Sequence, residues 1–206
     1  MENVTARQRQ IYFAAAKLFV AKGFAATSMG DIADAVGMSK AGLYHSIACK
    51  EDLLFTVTQF GMDRLFIDVV EPARLIANPL ERLELILRNH IANIGRGSGD
   101  AGNPMTIVVD EVSGLSPERL QTITQRKREY LDLVRSTLDE LGAAGLLHED
   151  VDTRVAALSF LNMVLAVARW RKPRGALSLE QITQQIIGLA FRSVLKDPPA
   201  QTAERQ

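Results

Sequence analysis

The sequence predicts an all-α protein of about nine helices, and three observations lead to that fold class. Apolar residues recur at three- and four-residue steps along most of the chain, and no segment has a convincing strand pattern. Capping residues and glycine or proline stop signals bound the periodic segments. The 206 residues, 47% of them hydrophobic, are enough for one good core or for a small domain attached to a larger one.

The first three predicted helices follow one another closely near the N-terminus. Residues 5–22 form the first helix, which has one apolar face. Ser28 and Asp31 have the spacing of a capping box and begin a short second helix. The chain then turns at Gly37, and the Ser39 hydroxyl can cap a third helix almost at once. The result is a helix, a tight glycine turn and a second short helix.

The remaining periodic segments predict six further helices, separated by glycine- or proline-containing connections. Pro72 is the expected terminator of the fourth helix, and Pro117 stands at the first position of a long one, where proline is favoured. The predicted spans are residues 51–70, 80–94, 104–112, 116–142, 152–171 and 178–196.

The charge distribution favours a small basic head and a larger body. The first fifty residues carry six basic and three acidic side chains, although the whole chain has formal net charge zero, with 24 of each sign. A basic head can bind a polyanion. We therefore predict a head domain over residues 1–50, a body domain over residues 51–196 and a disordered tail over residues 197–206.

Cysteine, histidine and motif content argue against several classes of protein. The single Cys49 excludes an internal disulfide framework, and the absence of a signal-peptide or membrane-spanning pattern predicts a cytoplasmic protein. His90 and His148 stand alone, without metal-ligand spacing. Asp110 and Glu111 are better explained as solvated or ligand-bonding side chains than as catalytic ones. The sequence predicts no catalytic residue, no metal and no cofactor.

The second and third helices have the proportions of a helix-turn-helix, in which the first helix crosses the DNA backbone and the second enters the major groove. Leu43 and the ring of Tyr44 can attach the third helix to its domain, which leaves Lys40 and His45 near its leading face. Gly42 costs helix stability, about 1 kcal/mol relative to alanine, but permits close approach to a base edge or a phosphate. Double-stranded DNA is the expected partner.

Several residues of this segment are predicted to contact DNA. Thr27 and Lys50 lie at helix starts suited to the phosphate backbone, and Lys40 can donate to guanine or to phosphate. The alternative is that Tyr44 packs in the core and Lys40 is simply solvated. The predicted DNA-binding set is Thr27, Ser28, Ser39, Lys40, Ala41, Gly42, Tyr44, His45 and Lys50.

The same segment resembles the DNA-binding signature of the TetR family of bacterial transcriptional regulators. The residues that carry the resemblance are Thr27-Ser28-Met29, Asp31-Ile32-Ala33, Val36-Gly37-Met38-Ser39-Lys40, Leu43-Tyr44-His45 and Lys50-Glu51-Asp52-Leu53. The resemblance implies an all-helical homodimer with a three-helix DNA-binding head and a ligand-binding body whose last two helices form a four-helix dimer interface. This chain departs from the family pattern at Ser46, Ile47 and Cys49, where other residues are usual, and Ser46 puts one DNA contact in doubt.

A cationic cluster, Arg169, Trp170, Arg171, Lys172 and Arg174, marks the end of the eighth predicted helix. Arginines can bind phosphates, and tryptophan can stack on a base, so the cluster could bind a polyanionic small molecule. The alternative is structural, because cations stabilise a helix C-terminus and tryptophan often packs at an interface.

The segment from Asp152 to Gly188 resembles the branch of TetR regulators that controls lipid or steroid catabolism and responds to acyl-coenzyme A thioesters. The resemblance is carried by its Arg-Trp-x-x-Pro-x-Gly stretch and the following Leu177-Ser178-Leu179-Glu180-Gln181-Ile182. That resemblance makes the cationic cluster the site of the coenzyme A phosphates and places the acyl part in an apolar cavity of the body. The alternative is that these apolar residues are simply core. The predicted lining is Leu87, Ile91, Ile94, Val108, Ile123, Tyr130, Leu161 and Leu165.

We therefore predict a dimeric repressor that an acyl-coenzyme A or another small hydrophobic effector releases from its operator. Two other classes remain open from the sequence: a helical small-molecule enzyme, for which no acid, base or nucleophile set is found, and a protein-interaction module. An activator is also compatible with the sequence. Cys49 could be a redox switch beside Lys50, or a packing or cap residue.

Overall fold

Eight α-helices make up the computed structural model, which describes residues 4–95, 112–172 and 175–197. Within those ranges there is no β-strand, and a single antiparallel bridge joins Leu147 to Leu195. The all-α prediction is confirmed. The helices are α1 Ala6–Lys22, α2 Met29–Ala35, α3 Lys40–Ser46, α4 Lys50–Leu65, α5 Pro79–Gly95, α6 Pro117–Ala143, α7 Thr153–Trp170 and α8 Leu179–Val194. The predicted helix at 104–112 and the tail at 198–206 lie outside the described residues.

Side-chain caps explain where most of these helices begin. Ser28 and Asp31 form the predicted capping box, in which the Asp31 N–H donates to Ser28 Oγ over 3.1 Å and the Ser28 N–H donates to Asp31 Oδ2 over 2.8 Å. Ser39 caps α3 as predicted, by accepting from the Gly42 N–H. Thr5 and Ser178 head two further capping boxes. Local sequence therefore fixes these boundaries.

The predicted end of the fourth helix at Pro72 is wrong. The α4 helix passes into a π-helical segment, Phe66–Val70, and then into a last α-helical turn, Glu71–Arg74, which contains the proline. Proline is tolerated there because it stands at the beginning of a turn, where its missing N–H is not needed.

The chain divides into two compact units, and the first is larger than the predicted head. Within the described residues it comprises 4–65 and 112–127, so it contains α1 to α4 and the beginning of α6. The reason that α4 joins it is packing, because Leu53, Leu54 and Val57 of α4 are fully buried in the same core as α1 to α3.

Ion pairs hold the beginning of α6 within this first unit. Arg119 pairs with Glu51 and Asp52 of α4, and Arg126 pairs with Asp63 over 2.6 Å. The Ser116 N–H also donates to the Glu51 carboxylate over 3.0 Å, and this bond is the largest cause of the lowered pKa of Glu51. Residues 112–127, which include the beginning of α6, are thus part of the same compact unit as the helix-turn-helix.

The second unit, residues 66–95, 128–172 and 175–197 among those described, is organised around α5. Its buried side chains are almost all apolar, and they come from α5, the end of α6, α7 and α8. Arg88 of α5 pairs with Glu84 and with Glu180 of α8, and Arg82 pairs with Glu140 of α6. Across the described ranges, none of the helices is both long and apolar enough to cross a membrane.

Candidate functional site

The α2–turn–α3 segment has the geometry that the sequence predicts for a helix-turn-helix. Gly37 has a φ of +63°, a left-handed conformation that side chains other than glycine rarely adopt, and the Met38 N–H donates back to the Ala33 carbonyl over 2.9 Å. Buried Ile32 and Leu43 hold the two helices against α1 and α4. The turn therefore fixes the direction of α3 relative to α2.

The solvent-facing side of α3 carries the polar residues. Lys40, His45 and Ser46 are exposed, together with the small Ala41. Tyr44, for which packing in the core was an alternative, is 45% exposed, so Leu43 anchors the helix without it. The exposed face offers an ammonium, a phenol and an imidazole, groups that suit phosphates and base edges in a groove.

Thr27 and Lys50, the predicted contacts to the DNA backbone, both make hydrogen bonds inside the first unit. Thr27 is 1% exposed, and its hydroxyl donates to the Gly23 carbonyl over 2.9 Å and lies 3.3 Å from the Leu18 carbonyl. The Lys50 ammonium donates to three carbonyls of the α1–α2 loop, those of Phe24 and Thr27 at 2.8 Å and that of Ala25 at 3.3 Å. Both side chains hold that loop in place, so their donors are already engaged.

The serine caps and Gly42 also have structural roles. The Ser28 hydroxyl donates to Asp31 Oδ2 over 2.7 Å and so has no proton left for a phosphate, whereas Ser39 only accepts from Gly42 and keeps its hydroxyl proton. A Cβ on Gly42 would lie 3.2 Å from Ser39 Oγ, which is a tight contact. A side chain at this position would therefore crowd the cap of α3.

Two of the positions at which the chain departs from the family pattern, Ile47 and Cys49, have defined surroundings in the first unit. Ile47 is partly buried and packs on the core of the first unit. Cys49 is exposed, and its Sγ accepts from the Asp52 N–H over 3.4 Å at the start of α4. Cys49 therefore occupies the cap position that the sequence allowed.

The predicted effector-lining residues lie in different surroundings. Ile123 is buried in the first unit, whereas Leu87, Ile91, Ile94 and Tyr130 are buried in the second. Leu161 and Leu165 of α7 are half-buried in the second unit. Val108 and Arg174 lie outside the described residues. The second unit thus brings together most of the apolar set.

A buried polar pair in the second unit was missed by sequence reasoning, which treated His90 as a lone residue. His90 Nδ1 of α5 and the Tyr130 hydroxyl of α6 are 3.0 Å apart, with ring centroids at 5.5 Å. Burial lowers the pKa of His90 to about 4 and raises the pKa of Tyr130. The signal in the sequence was the position of His90 within the apolar stripe of α5, between Leu87 and Ile91.

The lowered pKa of His90 predicts that the second unit loses stability in mild acid. Below pH 6.5 the unfolded histidine binds a proton that the folded one does not, so stability falls as the pH falls from 6.5 towards 4. From pH 7 to pH 5 the loss is about 2 kcal/mol. Hydrogen exchange of α5 amides at the two pH values, corrected for intrinsic exchange, measures it. The same loss in a His90→Leu variant would show that another group is responsible.

The cationic cluster lies at the C-terminal end of α7. Arg169, Trp170 and Lys172 are exposed, with Trp170 at 50%. Arg171 is half-buried, and its buried Nε has no hydrogen-bond partner among the described residues. A buried donor without an acceptor is unfavourable, and an anion at this position would satisfy it.

The exposed face of α3, the φ of Gly37 and the buried anchor at Leu43 define the class of the protein as a helix-turn-helix protein. Comparison with known protein families agrees with this class. Residues 11–57 match the model of bacterial regulatory proteins of the tetR family, and residues 77–194 match that of the tetracyclin repressor-like C-terminal domain. The chain belongs to the TetR family of transcriptional regulators, which is not a family of enzymes.

Individual relatives cover nearly the full length. The structure of AibR in complex with isovaleryl coenzyme A and operator DNA is 38% identical, with a TM-score of 0.78, over 89% of this chain and 97% of that one. PfmR from Thermus thermophilus is 28% identical, with a TM-score of 0.75, over 89% of this chain and 97% of that one. The transcriptional repressor KstR2 of Mycobacterium tuberculosis is 26% identical over 196 residues, which are 95% of this chain and 96% of the relative.

Proposed function

We propose that this TetR-family regulator is a homodimeric repressor that binds operator DNA through α3 and is released by an acyl-coenzyme A thioester. The observation that carries the DNA-binding part is the solvent-facing set on α3, Lys40, Tyr44 and His45, on a helix anchored by the fully buried Leu43. A helix held rigidly by its buried face and polar on the other is the arrangement that reads a major groove. Operator binding would place the protein in the bacterial cytoplasm.

Within this proposal the predicted DNA-binding residues divide into two groups. Ser39, Lys40, Ala41, Tyr44 and His45 face solvent and are the proposed contacts. A second group supports the helices, because its polar groups or its space are already used inside the unit. That group is Thr27, Ser28, Gly42 and Lys50.

The proposed dimer uses the outer faces of α7 and α8. Val155 and Leu158, three residues apart on one face of α7, are 61% and 48% exposed, and Leu189 of α8 is 52% exposed. Large apolar side chains on the two last helices favour burial against a second copy. A two-fold dimer would present its two α3 helices to a palindromic operator with half-sites about one helical turn, or a multiple of it, apart.

The proposed effector class rests on two observations of different kinds. AibR, whose structure contains isovaleryl coenzyme A, is 38% identical to this chain. In the second unit, Arg171 has a buried Nε without a partner among the described residues, and it lies beside the exposed Arg169, Trp170 and Lys172. These cations would bind the coenzyme A phosphates, and the apolar residues of the unit would receive the acyl group.

The test is a mobility-shift titration on the DNA upstream of the gene of this protein, or on DNA selected from a random pool, with isovaleryl coenzyme A as the probe. An effector that binds better to the DNA-free form lowers operator affinity by that difference in binding energy. We expect retarded DNA to be released by the thioester but not by free coenzyme A.

Arg171→Ala is expected to raise the thioester concentration needed for release by between about ten-fold and about 150-fold, because an arginine–phosphate contact contributes about 1.5–3 kcal/mol. Arg128→Ala, at an exposed arginine of α6 in the second unit, is the matched control. Release of the variant at the wild-type concentration would contradict the role of Arg171. DNA binding that no thioester reverses would be consistent with the proposed DNA-binding function and would overturn the proposed effector class.

A further inference from the structure

We infer that the His90–Tyr130 pair is the polar contact for the thioester carbonyl of the effector, an assignment that rests on the proposed effector class. The pair joins α5 to α6 inside the second unit, with 3.0 Å between His90 Nδ1 and the Tyr130 hydroxyl. Each side chain is at most 5% exposed. A charged side chain is not needed to bind the effector here, because a thioester carbonyl is a neutral hydrogen-bond acceptor.

Buried apolar residues precede and follow both members of the pair on their helices. Along α5 its neighbours are the buried Leu83, Ile86, Leu87, Ile91 and Ile94, and along α6 they are the buried Val134 and Leu138. Ligand pockets for small molecules are mostly apolar and contain a few polar groups that orient the ligand. The His90–Tyr130 pair would be the polar group that orients a ligand among these apolar side chains.

The pair keeps one donor and one acceptor beyond its internal hydrogen bond. If the tyrosine donates to Nδ1, the histidine Nε2 carries a proton that can be donated; if Nδ1 donates to the tyrosine, the phenolic proton is available. A neutral ring offers these alternatives, and burial keeps His90 neutral at physiological pH. In either tautomer the pair can donate one hydrogen bond to a carbonyl oxygen.

The stability of the fold does not require polar side chains at these two positions. Replacing both members of a buried hydrogen bond by apolar groups of the same shape is close to neutral for stability, whereas a donor left without an acceptor is costly. An unused donor in an apolar interior is therefore a feature that a ligand would explain.

The π-helical segment beside α5 is an independent indication of function. Asp68 lies in that segment, where its carbonyl accepts from the Asn89 amide over 2.9 Å and its carboxylate accepts from the Asn93 amide over 3.1 Å. Asn93 is one helical turn from His90 and is also buried. Single π-helical turns inside helices occur frequently at functional sites. The segment therefore contacts α5 within one helical turn of His90.

The experiment compares isovaleryl coenzyme A with 3-methylbutyl coenzyme A, a thioether that has a methylene in place of the carbonyl. Binding of each to the full-length protein is measured by calorimetry. We expect the wild type to bind the thioester about ten-fold more tightly, as one satisfied hydrogen bond in an apolar site allows. In the double variant His90→Leu/Tyr130→Phe, which removes both possible donors, this preference should fall to within about two-fold, and Tyr130→Phe alone shows whether the phenol is the donor.

Thr137→Val is the matched control. Thr137 is a fully buried hydroxyl on the same helix, α6, but it donates to the Leu133 carbonyl of its own helix over 2.8 Å. This variant should keep the ten-fold preference. Operator binding by all variants checks that they are folded, and the double variant keeps the test valid if the single one is unstable.

The outcomes separate the two proposals. A wild type that binds both compounds equally would overturn the carbonyl contact and leave the effector class in place. A preference that survives in Tyr130→Phe and in the double variant would do the same. A wild type that binds neither compound would overturn the effector class and, with it, the role of the pair.

Discussion

Lys40→Ala and Tyr44→Ala are each expected to lower operator affinity by between about 30-fold and about 10,000-fold without unfolding the protein. Each side chain would act twice in a two-fold dimer, and a single contact to a base or phosphate contributes about 1–3 kcal/mol. Neither residue supports the fold, because Lys40 is exposed at the start of α3 and Tyr44 is 45% exposed. The measurement is a mobility-shift titration at fixed salt.

Lys17→Ala is the matched control for charge. Lys17 is an exposed lysine of the same compact unit, on α1 and outside the helix-turn-helix. This variant should keep operator affinity within a few-fold of the wild type, as expected when a surface cation makes no contact. If Lys40→Ala and Tyr44→Ala bound the operator as the wild type does, α3 would not be the reading helix. A loss for Lys40→Ala that shrinks as the salt concentration rises would assign that side chain to a phosphate, because the variant would release about one counterion fewer on binding.

Lys50→Ala is expected to destabilise the first unit by about 3 kcal/mol, while folded protein keeps its operator affinity within a few-fold. The ammonium of Lys50 satisfies three loop carbonyls and lies 4.4 Å from the centroid of the Phe24 ring. Its removal would leave these acceptors without a charged donor, and hydrogen bonds to charged groups contribute about 1.5–3 kcal/mol. Hydrogen exchange of the α1 to α3 amides in the full-length protein measures the loss.

Lys50→Met separates the charge from the packing of the side-chain stem, because methionine keeps much of the apolar length and removes the ammonium. It should destabilise the unit nearly as much as alanine does. If these variants kept the stability of the wild type and lost much of its operator affinity, Lys50 would contact the DNA backbone, as its position in the sequence predicted.

Local features of the sequence were sufficient for most of the helices. Ser28 with Asp31, and Ser39 before Gly42, act within one helical turn, so their hydrogen bonds can be predicted from spacing alone. The same is true of Gly37, where the tight turn between two caps requires a positive φ. Pro72 was misleading because a proline stops a helix only where its N–H is needed, and the π-helical segment before it changed the register.

The all-α class and the helix-turn-helix can be predicted from the sequence, because caps, glycine turns and the three-to-four periodicity are local, and the family is indicated by the resemblance of the helix-turn-helix segment to its signature. Only the tertiary structure decided that Lys50 holds carbonyls up to 26 residues away, and that His90 meets Tyr130 40 residues further along the chain. The physical reason is that a hydrogen bond depends on distances between atoms, and folding alone brings residues so far apart in sequence within about 3 Å.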